Sequence, residues 1–170
     1  MDNMSEKCGF VTLLGAPNAG KSTLVTYMVG AKGSIVSPKV QTTRARVRGI
    51  FVKGSCEIVL IDTPGIFKPK RRLDRAMVAA AWQEAEYSDV RLVLVDAKRG
   101  LDDDTRSIMD SLLKNKLKAF LVLNKSDLVK PARLVELSVR LNESGLFKET
   151  FMLSAATGNG VDVLENYLNW

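Results

Sequence analysis

The 170 residues contain no histidine at all. That excludes a histidine general base, a histidine-activated nucleophile and any histidine metal ligand. Cysteine is scarce. Cys8 and Cys56 are too few for a disulfide scaffold, and both fall in strand-like apolar runs. They are read as buried thiols in a reducing compartment rather than as a bridge. No apolar run approaches the roughly 20 residues that a membrane-spanning helix needs. The first seven residues mix acidic and basic side chains and lack the apolar segment of a signal peptide. Internal repeats, low-complexity tracts and long linkers are also missing. What is present is ordinary for one globular domain, with 46% hydrophobic residues and length enough for a real core. The net charge of +6 favours an anionic partner, and a phosphate ligand accounts for part of it.

One stretch organises the rest. Gly15-Ala16-Pro17-Asn18-Ala19-Gly20-Lys21-Ser22-Thr23 matches G-x-x-x-x-G-K-[S/T], the phosphate-binding loop. The apolar run Phe10 to Leu14 before it reads as a buried strand. After it, Leu24, Val25, Met28 and Val29 recur at helical spacing. Strand, glycine loop and helix are the context the motif requires. Gly15 and Gly20 let the backbone curl so that successive N–H groups face a phosphate. A helix starting near Lys21 aims its positive end at the same anion. Lys21 can reach the β- and γ-phosphates, and the Ser22 hydroxyl can ligate Mg²⁺.

Further along, residues 30 to 43 are rich in Gly, Ser, Lys and Thr and read as a mobile surface loop. Residues 45 to 52 alternate as an edge strand, Gly54-Ser55 makes a hairpin turn, and residues 56 to 61 form the next strand. Residues 66 to 72 are basic and irregular. Leu73, Ala76, Met77, Ala80 and Ala81 open a helix running to about Tyr87. A strand follows over 90 to 95. Asp102, Asp103 and Asp104 suit a helix N-terminus better than a metal cluster. That helix buries Thr105, Ile108, Met109, Leu112 and Leu113. Strands over 119 to 123 and 151 to 153 flank a helix opened by Pro131, with Leu134, Leu137 and Leu141 inward. Gly158 and Gly160 turn into a final helix through Val161, Leu164 and Leu168, running to the last residues. The alternation predicts an α/β, P-loop NTPase fold. Its sheet is six-stranded and mostly parallel, with one antiparallel edge strand and helices on both faces. Residues 1–7 are expected to be a flexible N-terminus and 8–170 one nucleotide-binding domain.

Every candidate motif follows a strand at its carboxyl end, where such sheets bind ligands. Asp62-Thr63-Pro64-Gly65 is D-x-x-G. Its Asp62 can hold Mg²⁺ through a water, opposite Ser22, and the Gly65 N–H is open to a γ-phosphate. Asn124-Lys125-Ser126-Asp127 is N-K-x-D. A buried Asp127 carboxylate can accept from guanine N1–H and the 2-amino group, whereas adenine lacks that amino group and presents a bare N1. Such a site discriminates by roughly 10⁴-fold or more. The Lys125 stem would lie along the base plane, and Asn124 would tie this loop to the phosphate loop. Ser154-Ala155-Ala156 adds backbone N–H groups, with that of Ala155 expected on guanine O6.

These motifs, with Ser37-Pro38-Lys39-Val40-Gln41-Thr42-Thr43-Arg44 and Asp62-Thr63-Pro64-Gly65-Ile66, resemble those of the Era family of translation-factor-related GTPases. K-x-Q-T-T-R is the discriminating piece, and the likeness runs from about Cys8 to Trp170. The resemblance implies a small-GTPase-like fold and a slow GTP-hydrolysing switch that binds GTP and GDP with Mg²⁺. Thr43 would then be the switch I ligand to Mg²⁺, and Asp62 and Gly65 would anchor switch II. Ile66 stands where many GTPases have a water-orienting Gln, so hydrolysis must depend on something else. Asn18 occupies the position that helps coordinate K⁺ in potassium-activated relatives, which makes K⁺ a second candidate ion. Lys21, Thr43, Gly65 and Asn18 are therefore the candidate catalytic residues. The family carries a C-terminal KH domain that binds RNA, and this sequence shows no KH-like G-x-x-G, so it is expected to be the GTPase domain of a longer protein. The implied role is small-subunit ribosome assembly through 16S rRNA, mostly by way of the missing domain. The implied location is cytoplasmic, with peripheral association at the inner membrane allowed.

Two other readings stay open. A nucleotide-regulated RNA- or ribosome-binding module would use the basic set Lys39, Arg44, Arg46, Arg48, Lys68, Lys70, Arg71 and Arg72. The same set is equally a solvated surface. A small-molecule kinase would share the phosphate loop but would not need N-K-x-D or K-x-Q-T-T-R.

Overall fold

The computed structural model describes residues 7–30, 46–62 and 72–169. The elements in chain order are β1 (Lys7–Gly15), α1 (Lys21–Gly30), β2 (Arg46–Lys53), β3 (Cys56–Asp62), α2 (Arg72–Tyr87), β4 (Val90–Asp96), α3 (Asp103–Lys114), β5 (Ala119–Asn124), α4 (Pro131–Asn142), β6 (Phe147–Met152) and α5 (Val161–Leu168). The strands form one six-stranded sheet in the order β2-β3-β1-β4-β5-β6. All neighbours are parallel except β2 against β3, which form a hairpin at one edge. The expected architecture is borne out.

The inner strands read as continuous apolar runs because both faces of the sheet are covered. Alternate side chains enter two separate cores. Val11, Leu13, Leu92, Leu94 and Val122 pack with Leu24, Met28 and Val29 of α1 and with Val161, Leu164 and Leu168 of α5. Leu14, Val93, Val95, Leu121 and Leu123 pack with Ala85 of α2, Ile108 and Leu112 of α3, and Leu134 and Leu137 of α4. Each leucine so buried contributes about 1.5–3 kcal/mol. In α3, Asp102 caps the helix: its Oδ1 accepts from the Thr105 N–H at 2.8 Å. The capping reading of the Asp run therefore holds, and among the described residues no acidic cluster has metal-binding geometry.

Several local expectations are corrected. β1 begins at Lys7, within the segment expected to be flexible, and residues 1–6 lie outside the described ones. Phe10 and Cys8, expected inside, are exposed near the start of β1. Cys56 is buried as expected, and both thiols are free. Leu113 is exposed, since it falls at the margin of an inward stripe already filled by Thr105, Ile108, Met109 and Leu112. β6 starts four residues before the expected Phe151, at Phe147. This strand closes the far edge of the sheet, where exposed Lys148 and Glu149 are compatible with pairing on one side only. α5 stops at Leu168, with Asn169 as its C-cap. No helix of the described residues is long and apolar enough to cross a membrane.

Candidate nucleotide site

The strand register brings the motifs to one edge. Gly15 pairs with Leu94 and Leu13 with Asp62 on either side of β1, while Asp96 pairs with Asn124 across β4 and β5. Ser154 follows the end of β6 by two residues. Five strands thus deliver their next residues to the carboxyl edge of the sheet, as the doubly wound rule requires.

The phosphate-loop sequence closes on itself. The Ala19 N–H donates to the Ala16 carbonyl at 3.1 Å, and the Leu24 N–H donates to the Gly20 carbonyl at 2.9 Å as α1 begins. The amides of Ser22 and Thr23 lie in the first turn of α1, where helix geometry directs N–H groups at an anion. Lys21 Nζ lies over the loop, donating to the carbonyls of Gly15 at 2.7 Å and Ala16 at 3.2 Å. The hydroxyl residues Ser22 and Thr23, with Pro17 and Asn18, face solvent. Gly20 has φ +102°, and a Cβ there would collide with Asn124 Nδ2. Gly15 is equally constrained, since its Cβ would lie 2.9 Å from the Leu94 carbonyl. These glycines are required by backbone shape at one position and by close approach at both.

Buried Asn124 joins three motifs. Its Nδ2 donates to the Ala19 carbonyl at 2.9 Å, and its Oδ1 accepts from the Ala155 N–H at 3.0 Å. The tie to the phosphate loop is as expected. The Ala155 N–H, expected on guanine O6, is instead engaged by Asn124. The loop after β6 is held further by the Ser126 N–H on the Leu153 carbonyl and the Ser154 N–H on that of Asn159, at 3.1 and 2.9 Å. Ser154 is buried and Ala156 exposed. Lys125 has a left-handed backbone, φ +63°, and its Nζ donates to the Asn18 carbonyl at 2.9 Å and to Asp96 Oδ2 at 2.8 Å. Asp127 sits in a short 3₁₀ turn, Ser126–Leu128, and is exposed rather than buried. It lies at the rim, where a planar base would itself have to cover it.

Asp96 had no place in the motif reading. Burial alone would raise its carboxyl pKa, but hydrogen bonds from Lys125 and from the Arg99 and Lys98 N–H groups outweigh that and hold it below the ordinary 3.8. The available signal was its position: an Asp closing an apolar strand, as Asp62 does on β3. Of Asp62 only the backbone, at the end of β3, is described. Thr43, Thr63, Pro64, Gly65 and Ile66 lie outside the described residues, as do Lys39, Arg44, Lys68, Lys70 and Arg71 and the side chains of Arg46, Arg48 and Arg72.

A profile of the 50S ribosome-binding GTPase family matches residues 10–125. The chain belongs to that GTPase family. The matched part includes all the motifs except Asp127 and the Ser154-Ala155-Ala156 loop. GTPase Era of Afipia carboxidovorans is 55% identical over 173 residues, which cover 98% of this chain and 56% of that relative. The GTPase chain thus spans about half the length of the curated relatives it matches. A crystal structure of an Aquifex aeolicus Era variant bound to GDP·AlF₄⁻ is 34% identical with a TM-score of 0.77, over 95% of this chain and 56% of that one. Era in complex with MgGDPNP and nucleotides 1506–1542 of 16S ribosomal RNA is 35% identical with a TM-score of 0.78, at the same coverages.

Proposed function

We propose that the chain binds GTP and GDP with Mg²⁺ and hydrolyses GTP slowly, as a switch. The observation that carries this is Asn124, whose side chain fastens the Ala19 carbonyl on one side and the Ala155 N–H on the other. A phosphate loop and a base loop tied at one buried residue are what a nucleoside triphosphate needs and what a simple phosphate turn does not. The donor set fits the expected groups. Lys21, the first-turn amides of α1 and residues 15–20 would hold the phosphates, with Thr63, Pro64 and Gly65 beside the γ-phosphate. Asp127 and the Lys125 stem would hold guanine, and the Ser154-Ala155-Ala156 loop, whose Ala155 N–H is already taken by Asn124, would border the base. The Ser22 and Thr43 hydroxyls, with Asp62 through a water, would hold Mg²⁺. When bound, the metal would neutralise phosphate charge.

Charge and positioning dominate phosphoryl transfer, so a chain with neither histidine nor a Gln at Ile66 can still turn over. Asn18 is the residue we propose for a second cation. It holds a left-handed backbone, φ +66°, with its side chain exposed at the loop. K⁺ beside it would add charge where an arginine finger otherwise would. Asn18 as a plain brace is the competing role; the bond from Lys125 uses its backbone carbonyl and does not engage its side chain. We further propose a role in small-subunit assembly, with 16S rRNA as partner. Its support is the solved Era complex with a 16S fragment, at 35% identity. The cytoplasmic setting, with peripheral contact at the inner membrane, belongs to the same proposal and rests on the resemblance alone.

The test is phosphate release from GTP with Mg²⁺ in KCl and in NaCl, with ATP as control. Turnover of GTP alone is expected, on the order of 10⁻⁴ to 10⁻² s⁻¹ as in GTPases without an activator. KCl should be faster, and Asn18→Ala should remove that difference while leaving GDP binding nearly intact. Equal rates in both salts, with Asn18→Ala abolishing nucleotide binding, would assign Asn18 to the brace. Turnover of ATP at the same rate would overturn the GTPase reading.

A further inference from the structure

Asp96 closes β4 beside Asn124 and belongs to none of the nucleotide motifs. Its carboxylate is fixed from two sides. Oδ1 accepts the N–H groups of Lys98 and Arg99, at 2.9 and 3.3 Å, which leaves Oδ2 pointing at Lys125 Nζ, 2.8 Å away. The same ammonium donates to the Asn18 carbonyl. One charge therefore joins the end of β4, the base loop and the phosphate loop.

We propose that Asp96 is a positioning residue of the guanine site, acting through Lys125 to lock the base loop onto the phosphate loop. The inference rests on the nucleotide-site reading and deepens it. The Asp96 side chain is only 11% accessible and that of Lys125 31%, so the pair is sheltered, unlike an open surface pair. A free lysine side chain carries considerable rotamer entropy, much of it lost when the stem is laid along a base. Asp96 removes that freedom before any nucleotide arrives, which is pre-organisation. It also supports the left-handed backbone at Lys125, a conformation lysine adopts rarely without help from its surroundings. The consequence falls on nucleotide residence time.

Asp96→Asn isolates the link. The amide oxygen can still accept from Lys98 and Arg99, but the other position becomes an N–H donor facing an ammonium. The experiment measures dissociation of N-methylanthraniloyl-GDP with Mg²⁺ from the wild type, Asp96→Asn, Lys125→Met and the double variant. Asp96→Asn should release the probe about tenfold faster, the size of one charge-assisted hydrogen bond. Lys125→Met should also release it faster, and the double variant no faster than Lys125→Met alone, because Asp96 then has nothing to position. Single effects that multiply in the double variant would show Asp96 acting independently of Lys125 and overturn the proposal. So would an unchanged rate in Asp96→Asn, or an Asn variant that does not fold, which would make the role structural. Failure of the wild type to retain the probe would instead overturn the nucleotide-site reading, and it would be seen before any variant is measured.

Discussion

Single residues decide the chemistry, and here those fixed by a motif were the easiest to identify. Lys21, Ser22, Asn124 and Asp127 stand out in the sequence because a phosphate loop and N-K-x-D restrict residue type at fixed spacing. Their partners are less legible. The link from Asp96 to Lys125 joins positions 29 residues apart and follows from the pairing of β4 with β5, which no local pattern specifies. The exposure of Asp127 was also hidden, because the motif says what the carboxylate meets and nothing of how far it sits from the rim. Asp127→Asn should reverse base preference: an amide can donate to the 2-oxo group of xanthine but no longer accepts from the guanine 2-amino group. Competition binding with GDP and XDP checks this. The variant should favour XDP, and retained preference for GDP would remove Asp127 from the base site.

At the scale of elements, the period of the apolar residues is what made the sequence readable. Leu134, Leu137 and Leu141 of α4 and Val161, Leu164 and Leu168 of α5 are buried as their spacing predicts. Edges are where that signal weakens. β6 pairs on one side only, so Phe147-Lys148-Glu149-Thr150 carries polar residues that mask the strand. Phe10 looks like core in a run of apolar letters, yet is exposed near the start of β1. Turn chemistry was more dependable, as the Asp102 cap shows. Asp102→Ala should cost about 1 kcal/mol of stability by exposing the first turn of α3, with GDP affinity unchanged because the cap lies outside the site. Urea unfolding with and without GDP separates the two effects. A loss of GDP affinity matching the loss of stability would mean that α3 is coupled to the site.

At the scale of the whole molecule, alternation of strand and helix was enough to predict a mostly parallel sheet with an antiparallel edge hairpin and covered faces. It also placed the motifs at one end of the sheet, since in such folds strand ends and ligand edge coincide. Which helices share a face was not legible: α1 and α5 lie on one side and α2, α3 and α4 on the other, a consequence of strand order. The central claim is that these parts make one site selective for guanine nucleotides. The most direct test is calorimetric titration of the wild-type chain with GDP and, separately, with ADP, both in Mg²⁺. A single GDP site per chain and no measurable heat of binding with ADP is the expected result. Comparable affinities for GDP and ADP would contradict the account, because a carboxylate at Asp127 facing the bare N1 of adenine could not give them.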